Sequence, residues 1–591
     1  MASPAIEIVR EHVDLDVKPD GSFMQVNDVA YRILDQQGLQ AMQHTELSFT
    51  DGYQYLSVAG AYTLKADGRR VPVDRNTGIL YGHGATTQPG FEDVKTLTVF
   101  FPDLEVGDQV VLQTVFQQKK PWFANQFTFR FDLSRTFVSH DVRVTLSAPN
   151  PPYRLYMDSA GSADSHRTTA AGQYLQSWIF ANAKAEVPEA FQVLDPNTRA
   201  HVALSTFGGY RDVAKVYAGT LSGKSEVTPE IQALADTLTH GISTRREQAH
   251  AIYDWVATHI SYVSLVLGAG GFIPHEAATV LATKYGDCKD HVMILEALLK
   301  AKGIDSSPVL INAGSVYKLP TTASPFVFNH LITYIPEFKL FVDSTARFAP
   351  FGILPDTDAG KPVVLVRTGE SMTTPALTPE ANDISVVQKM RVAKDGSAEG
   401  DSTITVQGAA AIAIRTALSS LQPSSENDYF RATLGPGATG SLERGDITNL
   451  TPDYTFSAHY KIPGYINIPG PGALPAGTGY KPFSFTGLLG GLLTDHRTQP
   501  YACQSASAHD DSVITLPAEV EVAALPRSLD ETANGAHLTD RFEQLSGNRV
   551  HEQTDLRVEH PNPLCSAEDY NNAQPQTMKM ISALKSQVLF R

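Results

Sequence analysis

Tyr285-Gly286-Asp287-Cys288-Lys289-Asp290 reads as the opening of a helix. Val292, Leu295 and Leu299 follow at helical spacing as an apolar stripe, and Gly303 supplies the stop. Cys288 therefore heads a helix. At that end the unsatisfied backbone N–H groups and the helix dipole favour a thiolate over a thiol. A lone cysteine is more often a small buried hydrophobe, so position alone does not make it a nucleophile. A nucleophilic thiol needs a base and a group that orients the base, both on rigid elements.

Downstream, residues 307–312 read as a strand, 314–325 as a loop, and 328–335 and 340–345 as two strands joined at 336–339. His330 and Asp343 fall on these two strands. A four-residue turn pairs Ile335 with Leu340 and sets His330 opposite Thr345, with Asp343 diagonal to it. A two-residue turn sets His330 opposite Asp343. Both registers put the two side chains on one face. Each residue also has an ordinary reading: a satisfied sheet histidine, and an aspartate that begins a turn. His291, one helical turn beyond Cys288, and His275 compete as bases but lack an evident orienting partner in the sequence. Asp287, Cys288, Asp290 and His291 are metal-ligand types, yet neighbouring helix positions point around the axis and do not converge on one ion. The residues alone support a Cys288, His330, Asp343 arrangement without proving it, rank His291 and His275 below His330 as the base, set a metal site below both and call for no cofactor.

Upstream, Thr228 and Pro229 open a helix whose apolar face is Ile231, Leu234, Ala235 and Leu238. Thr244 and Glu247 fit a capping box ahead of Ala249, Ile252, Val256 and Ile260. Gly268-Ala269-Gly270-Gly271 is a loop where backbone can approach a ligand closely. Before this helical region, residues 1–195 alternate with period two. Phe127, Phe129, Phe131 and Leu133 form one face, Val142, Val144 and Leu146 another, with turns at Asp67-Gly68 and Gly107-Asp108. These are the marks of a β-sandwich. After it, residues 376–591 alternate again at Ile404 and Val406, with strand-like runs at 513–516, 520–522 and 556–558 and a Pro/Gly-rich stretch over 463–491. That stretch is expected to pack on a neighbouring sheet in preference to covering the cleft, and 569–589 is expected to dock as a helix.

The chain's 591 residues exceed what one hydrophobic core usually organises. The expected fold class is α+β multidomain: an N-terminal β-sandwich (1–195), a central α+β core (225–375) and a C-terminal β-rich domain (376–591). A formal net charge of -16 with no basic run opposes binding to nucleic acid or anionic lipid. No apolar run is long enough for a transmembrane helix. Besides Cys288 there are only Cys503 and Cys565, a pair compatible with a disulfide and equally with two reduced buried thiols.

Four segments resemble, in order and spacing, the bacterial branch of the transglutaminase-like superfamily, whose cores have the papain-like fold. They are Ala251-Ile252-Tyr253-Asp254-Trp255-Val256, Tyr285-Gly286-Asp287-Cys288-Lys289-Asp290-His291, Phe328-Asn329-His330 and Val342-Asp343-Ser344-Thr345. The resemblance implies a catalytic triad of Cys288, His330 and Asp343. It also implies a thioester intermediate on a peptide or amide substrate, hydrolysed by water or transferred to an amine. The backbone N–H of Cys288 is the expected first oxyanion donor, with Tyr262 and the 268–271 loop as candidates for the second. Where the family pattern has an alanine-tryptophan pair after the histidine, this chain has Leu331-Ile332, which implies a cleft of different specificity. Tyr31-Arg32-Ile33-Leu34, Ala61-Tyr62-Thr63-Leu64 and Phe101-Pro102-Asp103-Leu104-Glu105-Val106-Gly107-Asp108 resemble the β-rich domain of unknown function that often precedes such cores in bacteria. Many of those proteins are exported, so the analogy implies a periplasmic or cell-surface location for a chain whose signal peptide has been removed. A reading from another class is a core without catalysis, serving as a peptide-binding or cell-envelope module.

Overall fold

A computed structural model describes residues 4–83, 94–149, 154–170, 173–263, 271–489, 494–546 and 548–591. In the N-terminal domain an eight-stranded sheet is covered by two three-stranded sheets. The alternation read along 142–146 has its reason here. Val142, Val144 and Leu146 all point into the layer between the large sheet and the small sheet that holds strands Thr128–Asp132 and His201–Ser205. That last strand extends the domain's pairing ten residues past position 195. The two-layer arrangement is the expected sandwich.

The central core is built on a five-stranded antiparallel sheet. Its order is Leu340–Val342, His330–Ile335, Ser307–Ile311, Pro362–Leu365 and Ser371–Thr373. Helix Cys288–Ala301 packs on one face, and Pro229–Leu238, Arg245–His259 and Ala277–Thr283 pack around it. Every residue from 289 to 299 of the Cys288 helix is buried. It is thus the hydrophobic centre of the core, which is why its apolar positions run wider than one stripe. Thr228 and Thr244 cap their helices as expected, accepting from the N–H groups of Ile231 and Glu247.

The N-terminal domain also braces the loop that leads to His330. Ser205 Oγ donates to Ala323 O at 2.7 Å, and just past the domain Tyr210 Oη, at the start of the helix Tyr210–Thr220, donates to Pro320 O at 3.0 Å. Trp122, stacked on Tyr53, approaches Phe272 of the core at 5.7 Å between ring centroids.

The C-terminal domain is a second eight-stranded sheet, Asn382–Val392 near its middle, accompanied by helices Gly408–Ser420 and Glu426–Leu434. The Pro/Gly-rich stretch packs, as far as it lies within the described residues. Gly472–Pro475 pairs with the strand Gln587–Phe590, and Leu474 and Tyr480 are fully buried in the domain core. The chain end departs from the expectation of one helix, because Ala567–Ala583 is helical but 587–590 is a strand. Its alternating Val588 and Phe590 face the core. Cys503 and Cys565 form a disulfide. Among the described residues no helix is long and apolar enough to cross a membrane.

A buried polar cluster in this domain makes stability depend on pH. Lys481 pairs with Asp510 at 2.7 Å, and Asp540 and Glu552 are buried with them. Burial pushes Asp540 up to about 6 and Glu552 up to about 7. In the unfolded chain such carboxyls titrate near about 4. The folded state therefore keeps protons that the unfolded state loses, and this contribution is full below about pH 4 and gone once pH passes about 7. Thermal melts should show stability declining across that window, by up to about 1.4 kcal/mol per pH unit for each retained proton. Glu552→Gln keeps the acceptor for the Gly477 N–H, 2.7 Å away, and should flatten the decline and raise the transition near about pH 8. An unchanged slope in that variant would contradict the assignment.

Candidate active site

Asp287 is the N-cap of the Cys288 helix. Its carboxylate accepts from the backbone N–H groups of Lys289 (2.9 Å) and Asp290 (3.3 Å), and Asp290 in return accepts from the N–H of Asp287 at 3.1 Å. This reciprocal box fixes the first turn. Gly286 is required beside it, because a Cβ there would lie 2.4 Å from Asp290 Cβ. The cap uses the amides of Lys289 and Asp290 and not that of Cys288, so the expected oxyanion donor is left to the site. Cys288 itself is half-buried and is the one cysteine outside the disulfide.

The turn between the two site strands has four residues, 336–339, with Ile335 paired to Leu340 and Thr333 to Val342. His330 accordingly lies opposite Thr345, with Asp343 on the diagonal. One detail differs from the sequence reading. The strand ends at Val342, and Asp343 stands just beyond it. The cause is local: Asp343 Oδ1 accepts from Thr345 N at 2.8 Å and Thr345 Oγ1 at 2.7 Å, a turn that competes with further pairing. The other oxygen, Oδ2, lies 3.1 Å from His330 Nε2. Asp343 is 4% exposed. The Tyr253 hydroxyl, from the helix Arg245–His259, reaches Asp343 O at 3.0 Å and anchors the backbone there.

The electrostatics follow from these contacts. Burial alone would pull the His330 imidazole toward its neutral form. The charge and hydrogen bond of Asp343, joined by Cys288 as a further hydrogen-bonding partner, outweigh burial and hold its pKa well above the ordinary histidine value. Burial pushes Asp343 the other way, but the His330 charge and hydrogen bond and the Thr345 contacts bring it down to about 2. With Nε2 taken by Asp343, Nδ1 is the ring nitrogen left for the thiol. Cys288, His330 and Asp343, distant in sequence, are thus brought together in one chain of contacts.

The competing histidines are not. His291 is buried with Nδ1 against Asp287 O (2.9 Å) and Nε2 against Ile260 O (3.1 Å), so both nitrogens are occupied. His275 corrects an expectation, since it does have an orienting carboxylate: its Nδ1 lies 3.1 Å from Asp290 Oδ2. Asp290 is held in the cap, and this pair braces the helix start. Leu331 and Ile332, from which a cleft of different specificity is expected, do not face that cleft themselves. Both are buried, Leu331 on the helix side and Ile332 in the cluster with Val309 and Phe341, so neither lines an open cleft. Of the oxyanion candidates, Tyr262 is half-exposed near His291, and the 268–271 loop lies, up to residue 270, outside the described residues.

Sequence reasoning assigned no role to three contributors. Thr345 was legible as the acceptor-turn partner of Asp343, two residues on. Tyr253 stood inside a quoted motif, but its reach to Asp343 is a tertiary fact. Asp358, on a short helical turn over Asp356–Asp358, carried no local signal, and its carboxylate comes within 4.8 Å of the His330 ring nitrogen and the Asp343 carboxylate.

Comparison with known proteins bears on the domains that carry these residues. Residues 232–315 match the transglutaminase-like superfamily, and residues 19–186 match a domain of unknown function with solved structures, DUF3857. The chain carries a transglutaminase-like core. A crystal structure of a candidate protease from Parabacteroides distasonis superposes with a TM-score of 0.70 at 14% identity, covering 100% of both chains. At that identity the likeness speaks for the fold, and it extends to all three domains. A candidate cysteine protease from Cytophaga hutchinsonii (15% identity, 37% of this chain and 71% of that one) gives a TM-score of only 0.17. An M1 zinc metallopeptidase mutant from Deinococcus radiodurans (11% identity, 34% and 42%) gives 0.19. Neither overlaps enough to bear on the fold. No curated protein matches the chain. The transglutaminase-like match ends at 315, so the strands that bring His330 and Asp343 to Cys288 lie beyond it.

Proposed function

We propose that this protein is a thiol-dependent hydrolase of peptide or amide bonds, acting through Cys288, His330 and Asp343. The observation that carries the reading is the single imidazole held between a buried carboxylate, 3.1 Å from Nε2, and a thiol at a capped helix N-terminus. In this mechanism His330 holds the thiol proton and the Cys288 sulfur attacks the carbonyl carbon, with the backbone N–H of Cys288 donating to the oxyanion. The imidazolium passes its proton to the departing amine as the C–N bond breaks, leaving a thioester. His330 then takes a proton from water, which attacks the thioester. The acid leaves and the proton returns to the sulfur. Asp343 stabilises the imidazolium and fixes its ring. The Cys503–Cys565 disulfide supports an oxidising location, the periplasm or cell surface.

Incubating the protein with peptide libraries and reading products by mass tests the reaction. Two fragments that together weigh one water more than the parent peptide are expected from cleavage, or a peptide that has exchanged ammonia for water from deamidation. Products that join an amine in place of water would assign the same thioester to acyl transfer. No mass change, with Cys288 alkylated no faster than a free thiol near neutral pH, would leave the non-catalytic module as the better reading.

A further inference from the structure

Asp343 has a second carboxylate for a neighbour. Asp358 is 1% exposed, and its Oδ2 is buried without a hydrogen-bond partner when both acids are taken as ionised. Two carboxylates have only acceptors to offer each other, so contact between them requires one proton. Asp343 is unsuited to hold it. Its Oδ1 already accepts twice from Thr345 and its Oδ2 faces His330, bonds that favour the ionised form.

We propose that Asp358 is a positioning residue that carries this proton and donates it to Asp343, clamping the ionised carboxylate in line with His330. It rests on the triad reading and extends it by a fourth member that touches neither thiol nor substrate. A neutral donor on Asp343 does two things. It holds the carboxylate in place, and it lowers the basicity of Asp343, so that the proton stays on the imidazole. The surroundings agree: burial and then the charge of Asp343 push Asp358 up to about 8. The other groups around it are His330, whose positive charge opposes that rise, Thr357 Oγ1 at 3.4 Å from Asp358 Oδ1, and the Thr374 hydroxyl, which donates to the Asp358 backbone carbonyl at 2.5 Å. Lys361 is buried nearby, over the Tyr317 ring and bonded to Gly314 O, with Asp358 and Asp356 acting on it through space. The Tyr253 hydroxyl bonds the Asp343 backbone carbonyl at 3.0 Å.

The test is the pH profile of Cys288 alkylation by iodoacetamide in the full chain, for the parent, Asp358→Asn and Asp358→Ala. Asparagine keeps a donor for Asp343 but cannot ionise. At about pH 6 the Asn variant should react within about twofold of the parent, and the Ala variant about tenfold more slowly. Above about pH 8 the parent and Asn profiles should separate, the Asn variant losing its imidazolium-supported reactivity at lower pH because no new anion forms beside His330. A purely structural role would not produce agreement at one pH and divergence at another. The proposal is overturned if the Asn variant is as slow as the Ala variant at about pH 6, or if its profile follows the parent throughout. Should the Ala variant fail to fold, the parent and Asn profiles decide alone. Failure of the triad reading is distinguishable, because Cys288 of the parent would then show no selective alkylation at all.

Discussion

Cys288→Ala is expected to reduce covalent turnover to background, a loss on the order of 10⁶-fold, with the fold intact. The size of the effect follows from the placement of the sulfur. It is the one nucleophile at the head of the capped helix, and no other thiol can substitute, since Cys503 and Cys565 are joined to each other. The fold should tolerate the change because Cys288 is half-buried and takes no part in the Asp287–Asp290 capping box, so a stability cost of about 1 kcal/mol or less is expected. Asp343→Ala makes the informative contrast. Thiol and imidazole remain, so weak activity should survive, with a loss nearer 10⁴-fold by order of magnitude. Its stability cost should be larger, roughly 1–3 kcal/mol, because His330 Nε2 and the Thr345 amide lose their buried acceptor. Both variants are measured by product mass and by thermal melting. Full activity in Cys288→Ala would eliminate the thiol mechanism.

How much of this was legible beforehand depends on the range of each interaction. The helix headed by Cys288 was written in local signals, the apolar spacing and the Gly303 stop, and the Asp287 cap adds a third that the structure brings out. The hairpin carrying His330 was legible up to the choice between two turn lengths, because alternation fixes a face and leaves the partner undetermined by two residues. The observed four-residue turn sets Thr345 opposite His330, and Asp343 then turns away to bond Thr345. The strand end at Val342 follows from that competition, which alternation does not register. Asp358 was illegible for a different reason. Its burial and its approach to His330 and Asp343 are tertiary facts with no sequence period. His275 shows the same limit, since pairing with Asp290 requires the loop before the Cys288 helix to fold back on its cap.

His330→Ala is expected to have the second large effect and to identify the base. Near neutral pH, alkylation of Cys288 should slow by roughly 10²-fold, and its profile should move toward the alkaline range, because the imidazolium that supports the thiolate is gone. The sign follows from the cause. With its pKa held well above the ordinary value by Asp343, His330 is charged at neutral pH and favours a negative sulfur. Without it, the thiol ionises only as solution pH approaches that of a free thiol. Activation should not vanish altogether, since the helix N-terminus remains. His291→Ala and His275→Ala should leave the shape of the profile unchanged. Both His291 nitrogens face backbone carbonyls, and His275 is tied to a cap carboxylate with its side chain 55% exposed. His291→Ala should instead lower the melting transition, since it opens a buried site and frees the Ile260 and Asp287 carbonyls. If the neutral-pH reactivity disappears in His291→Ala and survives in His330→Ala, the base is His291. The Asp343 carboxylate would then be a structural partner of a sheet histidine.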